Sequence, residues 1–185
     1  MKKRLKGLNL AVVAVAVVTA GVAWAQSGHQ GHGQHGGGAN AYAAYKDRAI
    51  KALSPEQEAD LRNGRGMGLA LAAEMNGYPG PMHVLQLTDT LKLSADQRVR
   101  FDALFARMKT EAVAVGEQII KLEGELNAQF VARSISPESL ERLTAEIGEN
   151  QGRVRATHLR YHLETVAILS PDQVAMYNTA RGYTR

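Results

Sequence analysis

Cysteine is absent from this chain of 185 residues. Without a thiol the protein can form no disulfide, carries no cysteine lipidation site and has no cysteine nucleophile. Other catalytic signatures are missing too, because the sequence contains no G-x-S-x-G, no phosphate-binding loop and no H-E-x-x-H. We therefore expect a protein that is not an enzyme and whose stability comes from side-chain packing alone.

The chain also lacks an apolar run long enough to span a membrane. Residues 10–22 are aliphatic and Ala-rich, but they fall short of the ~20 residues that a spanning helix needs. Four cations precede this stretch within residues 1–9, and Ala23-Trp24-Ala25 closes it, which together form the pattern of a secretory signal peptide. We predict that residues 1–25 are a signal peptide cleaved after Ala25 and that the mature protein is periplasmic.

An excess of positive charge disappears once this leader is removed. The whole chain has 22 Lys and Arg against 18 Asp and Glu, and the leader holds four of the cations, so the mature chain is formally neutral. Neutrality argues against a nucleic-acid partner. Removing 25 of the 185 residues leaves 160, enough for one domain with one core.

The mature chain divides into a linker and a domain. Residues 26–40 read QSGHQGHGQHGGGAN and contain no residue that could anchor a core, so we predict a disordered Gly/His-rich linker. From residue 41 the sequence is rich in Ala, Leu, Glu and Arg, and no stretch alternates apolar and polar residues with period two. Residues 41–185 are therefore predicted to form an all-α domain.

Four serines mark helix starts, each in the sequence of a capping box. The boxes are Ser54-Pro55-Glu56-Gln57, Ser94-Ala95-Asp96-Gln97, Ser136-Pro137-Glu138-Ser139 and Ser170-Pro171-Asp172-Gln173. They predict helices over residues 55–75, 95–133, 137–168 and 171–181. Glycines near residue 64 should interrupt the first of these. Two lesser helices are predicted, a frayed one over 41–53 and a short one over 82–91.

The two long helices should form an antiparallel hairpin. Apolar residues recur every three or four positions along both, which gives each helix one apolar stripe, and only Ser134-Ile135-Ser136 separates them. With the turn at Ile135, residue n of one helix faces about residue 270 − n of the other. Either the shorter flanking helices or a second subunit must cover the rest of the stripe, and we predict a homodimer.

Two groups of histidines are candidate metal ligands. His29, His32 and His35 lie three apart in the linker, where a flexible chain can wrap Zn, Cu or Ni, although a chance bias of composition explains them equally well. His158 and His162 lie four apart and so stack on one helical face.

The predicted register gives the second group its partners. It places Met108 opposite His162, with Glu111 nearby as a further ligand. The alternative is that one histidine packs in the seam of the hairpin and the other is solvated. His83 stands alone in the sequence and is assigned a surface or packing role.

Three helix starts share the longer pattern L-S-x-[DE]-Q. Its fixed positions are Leu53, Ser54 and Gln57, then Leu93, Ser94 and Gln97, and finally Leu169, Ser170 and Gln173. The pattern is similar to the LTxxQ motif of the Spy/CpxP family of periplasmic proteins, with Ser in place of Thr. The run from Gly77 to His83 also resembles members of that family. The resemblance covers residues 41–183 and implies a dimeric cradle of helical hairpins.

The same resemblance implies two functions. Spy-like members are chaperones that hold unfolded proteins without ATP, whereas the related zinc-resistance-associated and heavy-metal-sensor proteins bind metal ions in the periplasm. We favour an ATP-independent chaperone or envelope-stress adaptor that binds unfolded or misfolded envelope proteins, needs no cofactor and has a stress-sensing membrane kinase as a candidate partner. The alternative is a periplasmic protein that binds or senses Zn, Cu or Ni.

Overall fold

The computed structural model describes residues 42–183. The predicted signal peptide, the linker and its three histidines lie outside the described residues. Within them the protein contains no strand, so the predicted all-α class is confirmed. The helices are α1 (Pro55–Arg62), α2 (Leu71–Glu74), α3 (Pro81–Gln86), α4 (Ala95–Val131), α5 (Pro137–Val166) and α6 (Pro171–Arg181). None of the helices in this part of the chain is both long and apolar enough to cross a membrane.

All four predicted capping boxes are present, at the starts of α1, α4, α5 and α6. At the start of α4, the Ser94 hydroxyl accepts a hydrogen bond from the backbone N–H of Gln97 at 3.1 Å. In return, the Ser94 backbone N–H donates to the side-chain oxygen of Gln97, also at 3.1 Å. These bonds satisfy donors that a helix start leaves free, which is why local sequence fixes where these helices begin.

The segments before α4 depart from prediction. The helix predicted over 41–53 is wrong, because only a single 3-10 turn forms there (Ala43–Tyr45), with no side-chain cap and no buried residue. The first predicted helix ends at Arg62, and only the four residues of α2 resume it. Glycines at 64 and 68 have positive φ angles of 63° and 75°, so the chain turns where a helix would continue.

Helices α4 and α5 form the predicted antiparallel hairpin, and its register can be read from cross-helix ion pairs. Arg107 Nη2 lies 3.2 Å from Glu164 Oε2, and Arg142 Nη2 lies 2.8 Å from Glu125 Oε1. Both pairs match the register of 270 − n to within three residues. The position of the turn at Ile135 therefore predicted how the two helices pair.

The hairpin is covered unevenly. At one end, called here the packed end, α3 and α6 pack on α4 and α5 around nine buried apolar residues. They are Val84, Leu91, Leu93, Phe101, Leu104, Met108, Tyr161, Leu169 and Tyr177. At the other end, the turn end, the buried cluster is only Leu122, Leu143 and Ile147.

Between the two ends, α1 lies directly on α4 at Gly116. A Cβ atom added to Gly116 would lie 2.5 Å from the backbone carbonyl oxygen of Leu61, closer than any real contact. Glycine is therefore required for this close approach of the two helices. The contact anchors α1 and, with it, the glycine-rich segment that follows α1 along the chain.

Candidate functional site

A cavity of about 630 Å³ opens at the packed end, between the glycine-rich segment 63–71, α3 and the facing sides of α4 and α5. Its wall brings together side chains from five separate parts of the chain. Those able to ligate a metal ion are Met67, Glu74, Met82, His83, Met108, His158 and His162. Imidazole nitrogens and thioether sulfurs suit transition metals, whereas hard ions prefer oxygen ligands.

His158 is the most deeply buried of the three histidines, with 3% of its surface exposed. Its ring forms a hydrogen bond with the backbone of Arg65, and the nitrogen left without any partner is Nε2. Burial, and then the positive charge that His162 can carry, lower the pKa of His158 despite the opposing bond to Arg65. The ring is therefore neutral near pH 7, and Nε2 offers a buried, free lone pair.

His162 and His83 are oriented in the same way as His158. Nδ1 of His162 lies 2.6 Å from the carbonyl oxygen of Tyr78, and Nδ1 of His83 lies 3.3 Å from Oε1 of Glu74. Because a carbonyl oxygen only accepts, Nδ1 of His162 must carry the hydrogen. In a neutral ring, Nε2 is then the nitrogen with the lone pair. Metal-binding histidines show this arrangement, with the second ring nitrogen held by an oxygen acceptor.

Gly80 makes room for the ring of His162, whereas the ring of His158 does not require glycine at position 66. A Cβ atom added to Gly80 would lie 2.9 Å from both Cε1 and Nε2 of His162, so the ring occupies space that only glycine leaves free. A Cβ atom on Gly66 would lie 3.9 Å from the His158 ring, which is an ordinary contact. Gly80 precedes Pro81, the first residue of α3, and its extended backbone carries the chain past His162.

Glu74 is buried and links His83 to α6 through hydrogen bonds. Its carboxylate accepts hydrogen bonds from the Tyr177 hydroxyl and from the backbone N–H of Gly80 at 3.2 Å, and Arg181 Nε lies 3.8 Å away. Burial alone would raise the pKa of Glu74, but the bonds from His83 and Tyr177 and the charges of the two histidines outweigh it and lower the pKa. Burial and the bond to this carboxylate raise the pKa of Tyr177.

The structure brings together most, but not all, of the site residues that the sequence predicted. Met108 lines the cavity with His158 and His162, as the register of the hairpin requires. Glu111 is the exception, because its carboxylate binds Arg160 and accepts from the Tyr161 hydroxyl at 2.8 Å. It lines a different hollow. The register places Ala112 opposite His158, and Glu111, one residue earlier on α4, is turned by about 100° from that face.

Two titratable residues of the cavity wall, in addition to Met67 and Met82, were not predicted from the sequence. Glu74 reads as an ordinary surface acid and His83 as an isolated histidine, yet both lie on the cavity wall. One partner of Glu74 lies far away in sequence, since Tyr177 is 103 residues from it. The only local signal was the run Gly77 to His83, whose prolines and glycines lead the chain from Glu74 to His83.

The described residues hold no group of three or more His, Asp or Glu side chains arranged to bind a metal ion. The three imidazoles are therefore not a preformed three-histidine centre. An ion bound here must draw on fewer imidazoles, and the thioethers on the same wall are the further ligands available.

The three L-S-x-[DE]-Q segments serve as structural elements. Their leucines are buried in the core, and their serines are the N-caps described above. Gln97 and Gln173 also bind each other: each side-chain amide donates to the oxygen of the other, at 2.9 and 3.0 Å. This pair joins the start of α4 to the start of α6. Gln57 makes no such cross-pair among the bonds found in residues 42–183.

A protein-family model described as heavy-metal resistance matches residues 66–176. The matched region begins at Gly66 and includes every methionine and histidine on the cavity wall. No curated protein and no solved structure matches the chain.

Proposed function

The chain belongs to the heavy-metal resistance family, and on that premise we propose that it binds a heavy-metal cation in the cavity at the packed end. The observation that carries the proposal is that Nε2 of His158, a residue of the cavity wall, is buried without a hydrogen-bond partner. A buried polar atom without a partner costs about 1–3 kcal/mol. A bound cation would satisfy this atom.

Three further features support binding at this place. The ring of His158 is held by Arg65 and that of His162 by Tyr78, so both are pre-oriented. The lowered pKa of His158 keeps its ring neutral, as ligation requires. Met108 lies on the same wall and supplies a sulfur ligand.

We place this activity in the periplasm and assign the protein no catalytic role. By holding ions, it lowers their free concentration in that compartment or signals their presence to a partner. Zn, Cu and Ni are the candidate ions for such a site, since imidazole suits all three. The linker histidines His29, His32 and His35 are a second, weaker place where ions exchange.

The test is calorimetric titration of the full chain with Zn, Cu and Ni. His158→Ala should abolish the tighter of two binding events, because it removes the buried ligand. The matched control replaces His29, His32 and His35 with alanine, which should remove only the weaker event. If the control removes all binding and His158→Ala removes none, the cavity is not the site and the proposal fails.

A chaperone role of the Spy/CpxP type is the second candidate, and a separate observation favours it. Five large apolar side chains are exposed within residues 67–82, called here the covering segment. They are Met67, Leu71, Met75, Tyr78 and Met82. Exposed apolar groups of this kind can hold the apolar segments of unfolded envelope proteins, and flexible thioethers adapt to varied clients. In a client-aggregation assay, Leu71→Ser together with Met75→Ser should weaken protection, whereas His158→Ala should not.

We further propose a homodimer, because the turn end exposes apolar side chains that no element among residues 42–183 covers. They are Phe130, Val131 and Leu140. Sedimentation at micromolar concentration should show two chains, and Phe130→Ser should shift the chain toward the monomer. A monomer throughout that range would contradict this assignment. A stress-sensing membrane kinase remains the candidate signalling partner.

A further inference from the structure

The cavity wall is rich in sulfur. Of the five methionines among residues 42–183, three line it: Met67, Met82 and Met108. Met108 is buried on the hairpin side, whereas Met67 and Met82 are partly exposed on the outer side. Thioether sulfur is a soft, neutral ligand that selects soft cations such as Cu(I).

The wall also lacks free negative charge. Glu74 is the one carboxylate on it, and its oxygens already accept from Tyr177, Gly80 and His83, with Arg181 alongside. Two cations, Arg65 and Lys109, line the same cavity. A divalent ion placed there would lack compensating charge, and low polarity around the site makes uncompensated charge costly. A monovalent ion carries half of that penalty or less.

The small number of available ligands also favours a monovalent ion. No three His, Asp or Glu side chains within residues 42–183 are arranged around one point, as Zn or Ni would require. A monovalent soft ion with a filled d shell accepts a small number of ligands. His158 Nε2 and the Met108 sulfur provide two on the buried side of the cavity.

Met67 is placed to complete the set from the outer side. Its backbone has a positive φ of 45°, an uncommon conformation for a residue with a side chain, and Gly66 and Gly68 flank it. Gly66 lies against the His158 ring. The loop therefore places a flexible thioether on the same cavity wall as His158.

From sulfur content, charge and ligand number together we infer that the cavity selects a soft monovalent cation, Cu(I) or its analogue Ag(I), over divalent Zn and Ni. His158 and Met108 are the fixed ligands, and Met67 closes the site. This inference rests on the proposed function and names the class of ion that the same site takes.

The experiment uses the full chain with His29, His32 and His35 replaced by alanine, so that the linker does not bind. Ag(I) and Cu(I) are titrated against a competing chelator, and Zn and Ni are titrated in parallel. Met108→Leu and Met67→Leu remove one thioether each with little change of volume. Met75→Leu is the matched control, because Met75 lies in the covering segment with Met67 but is absent from the cavity wall.

We expect Ag(I) and Cu(I) to bind more tightly than Zn and Ni. Met108→Leu should weaken Ag(I) binding by about tenfold or more, Met67→Leu by less, and Met75→Leu not measurably, since only thioethers on the wall are soft ligands there. In the protein that keeps all its methionines, the first equivalent of Ag(I) should shift the methyl NMR signals of Met67 and Met108 and leave that of Met75 in place. This second readout does not depend on how the variants fold.

Two results would overturn the inference while leaving the proposed function intact. One is tighter binding of Zn or Ni that still depends on His158. The other is equal Ag(I) affinity in Met108→Leu and Met75→Leu, with no methyl shift at Met108. If no cation binds in a manner that depends on His158, the inference and the proposed function both fail.

Discussion

The packed end and the turn end of the hairpin are made from the same two amphipathic helices, yet only one of them carries a site. At the packed end, Phe101 of α4 and Tyr177 of α6 are fully buried in the same apolar cluster. At the turn end, Phe130 is 53% exposed, although it belongs to the apolar stripe of α4, the helix that also carries Phe101. A stripe of apolar residues is thus sufficient to pair two helices, but further segments are needed to enclose them.

The segments that enclose the packed end also provide hydrogen-bond partners for the polar side chains buried there. The polar side chains buried at the packed end include Glu74, His158, His162 and Gln173. Backbone groups outside the two long helices bind three of them: Gly80 N–H donates to Glu74, and the carbonyl oxygens of Tyr78 and Leu91 accept from His162 and Gln173. Toward the turn end, Glu123 is buried in α4, and burial alone raises its pKa. The segments outside the hairpin therefore enclose the cavity, and the hairpin supplies Met108, His158 and His162 to its wall.

The largest contrast should come from truncating one phenylalanine at each end. Phe101→Ala should cost about 3–5 kcal/mol of unfolding free energy, because it leaves a cavity in an enclosed core. Phe130→Ala should cost less than about 1 kcal/mol, since half of its surface already faces solvent. Urea unfolding of both variants measures the difference. Equal losses would show that the two ends are packed alike.

A second contrast uses two helical glycines. Gly116→Ala should destabilise the protein by about 1–3 kcal/mol, because the added methyl would meet the backbone of Leu61 and push α1 away. Gly148→Ala, in the middle of α5, meets nothing within 4 Å and should stabilise by about 0.5–1 kcal/mol. Thermal denaturation reports both changes. A stable Gly116→Ala would mean that α1 is not anchored at this point.

The capping serines should show a smaller difference. Ser94→Ala should cost about 1 kcal/mol, the usual loss when an N-cap hydroxyl is removed. It also frees Gln97, which holds Gln173 across the packed end. Ser136→Ala at the turn end should cost about half as much, because its box partner Ser139 binds nothing beyond the cap. An equal loss at both serines would remove any role for the glutamine pair.

The smallest effect is a dependence of stability on pH. Because the pKa of His158 is lower in the folded protein, the unfolded chain binds more protons as pH falls below about 6.5, the ordinary value for histidine. The contribution of His158 to the unfolding free energy is therefore fully present above that pH. Below it, the contribution decreases by at most about 1.4 kcal/mol per pH unit for one proton.

His158→Gln provides the control for this dependence. Its unfolding free energy should vary less between pH 7 and pH 5, while the contribution of Glu74, whose pKa is lowered, appears only at more acidic pH. Denaturant unfolding across this range checks both statements. An unchanged slope in the variant would show that His158 is not the source of the dependence.

What the sequence could predict was set by local chemistry and by periodicity. The capping boxes specified four helix starts, and the turn at Ile135 specified the register that brings Met108 to His158 and His162. Both follow from contacts within one turn or across one short connection. The glycines near residue 64 predicted where α1 ends. The absence of a helix over 41–53 could not be predicted in this way, because few buried contacts stabilise that segment.

The cavity itself was beyond the reach of local reasoning. Glu74 and His83 join the site only because Gly80 passes next to His162 and Tyr177 reaches Glu74 from α6. Each of these contacts links positions more than 80 residues apart or on separate helices. Glu111 was expected at the site because it is near in sequence to a facing position, but the rotation along α4 places it elsewhere.

The most direct test of this account is the nitrogen NMR spectrum of the His158 ring before and after addition of Ag(I) at pH 7. The account predicts that Nδ1 carries the hydrogen and Nε2 is unprotonated in the free protein. On addition of one equivalent, Nε2 should shift strongly while Nδ1 stays protonated and bound to Arg65. A protonated Nε2, or an Nε2 signal unmoved by the ion, would contradict the claim that this buried atom is a metal ligand.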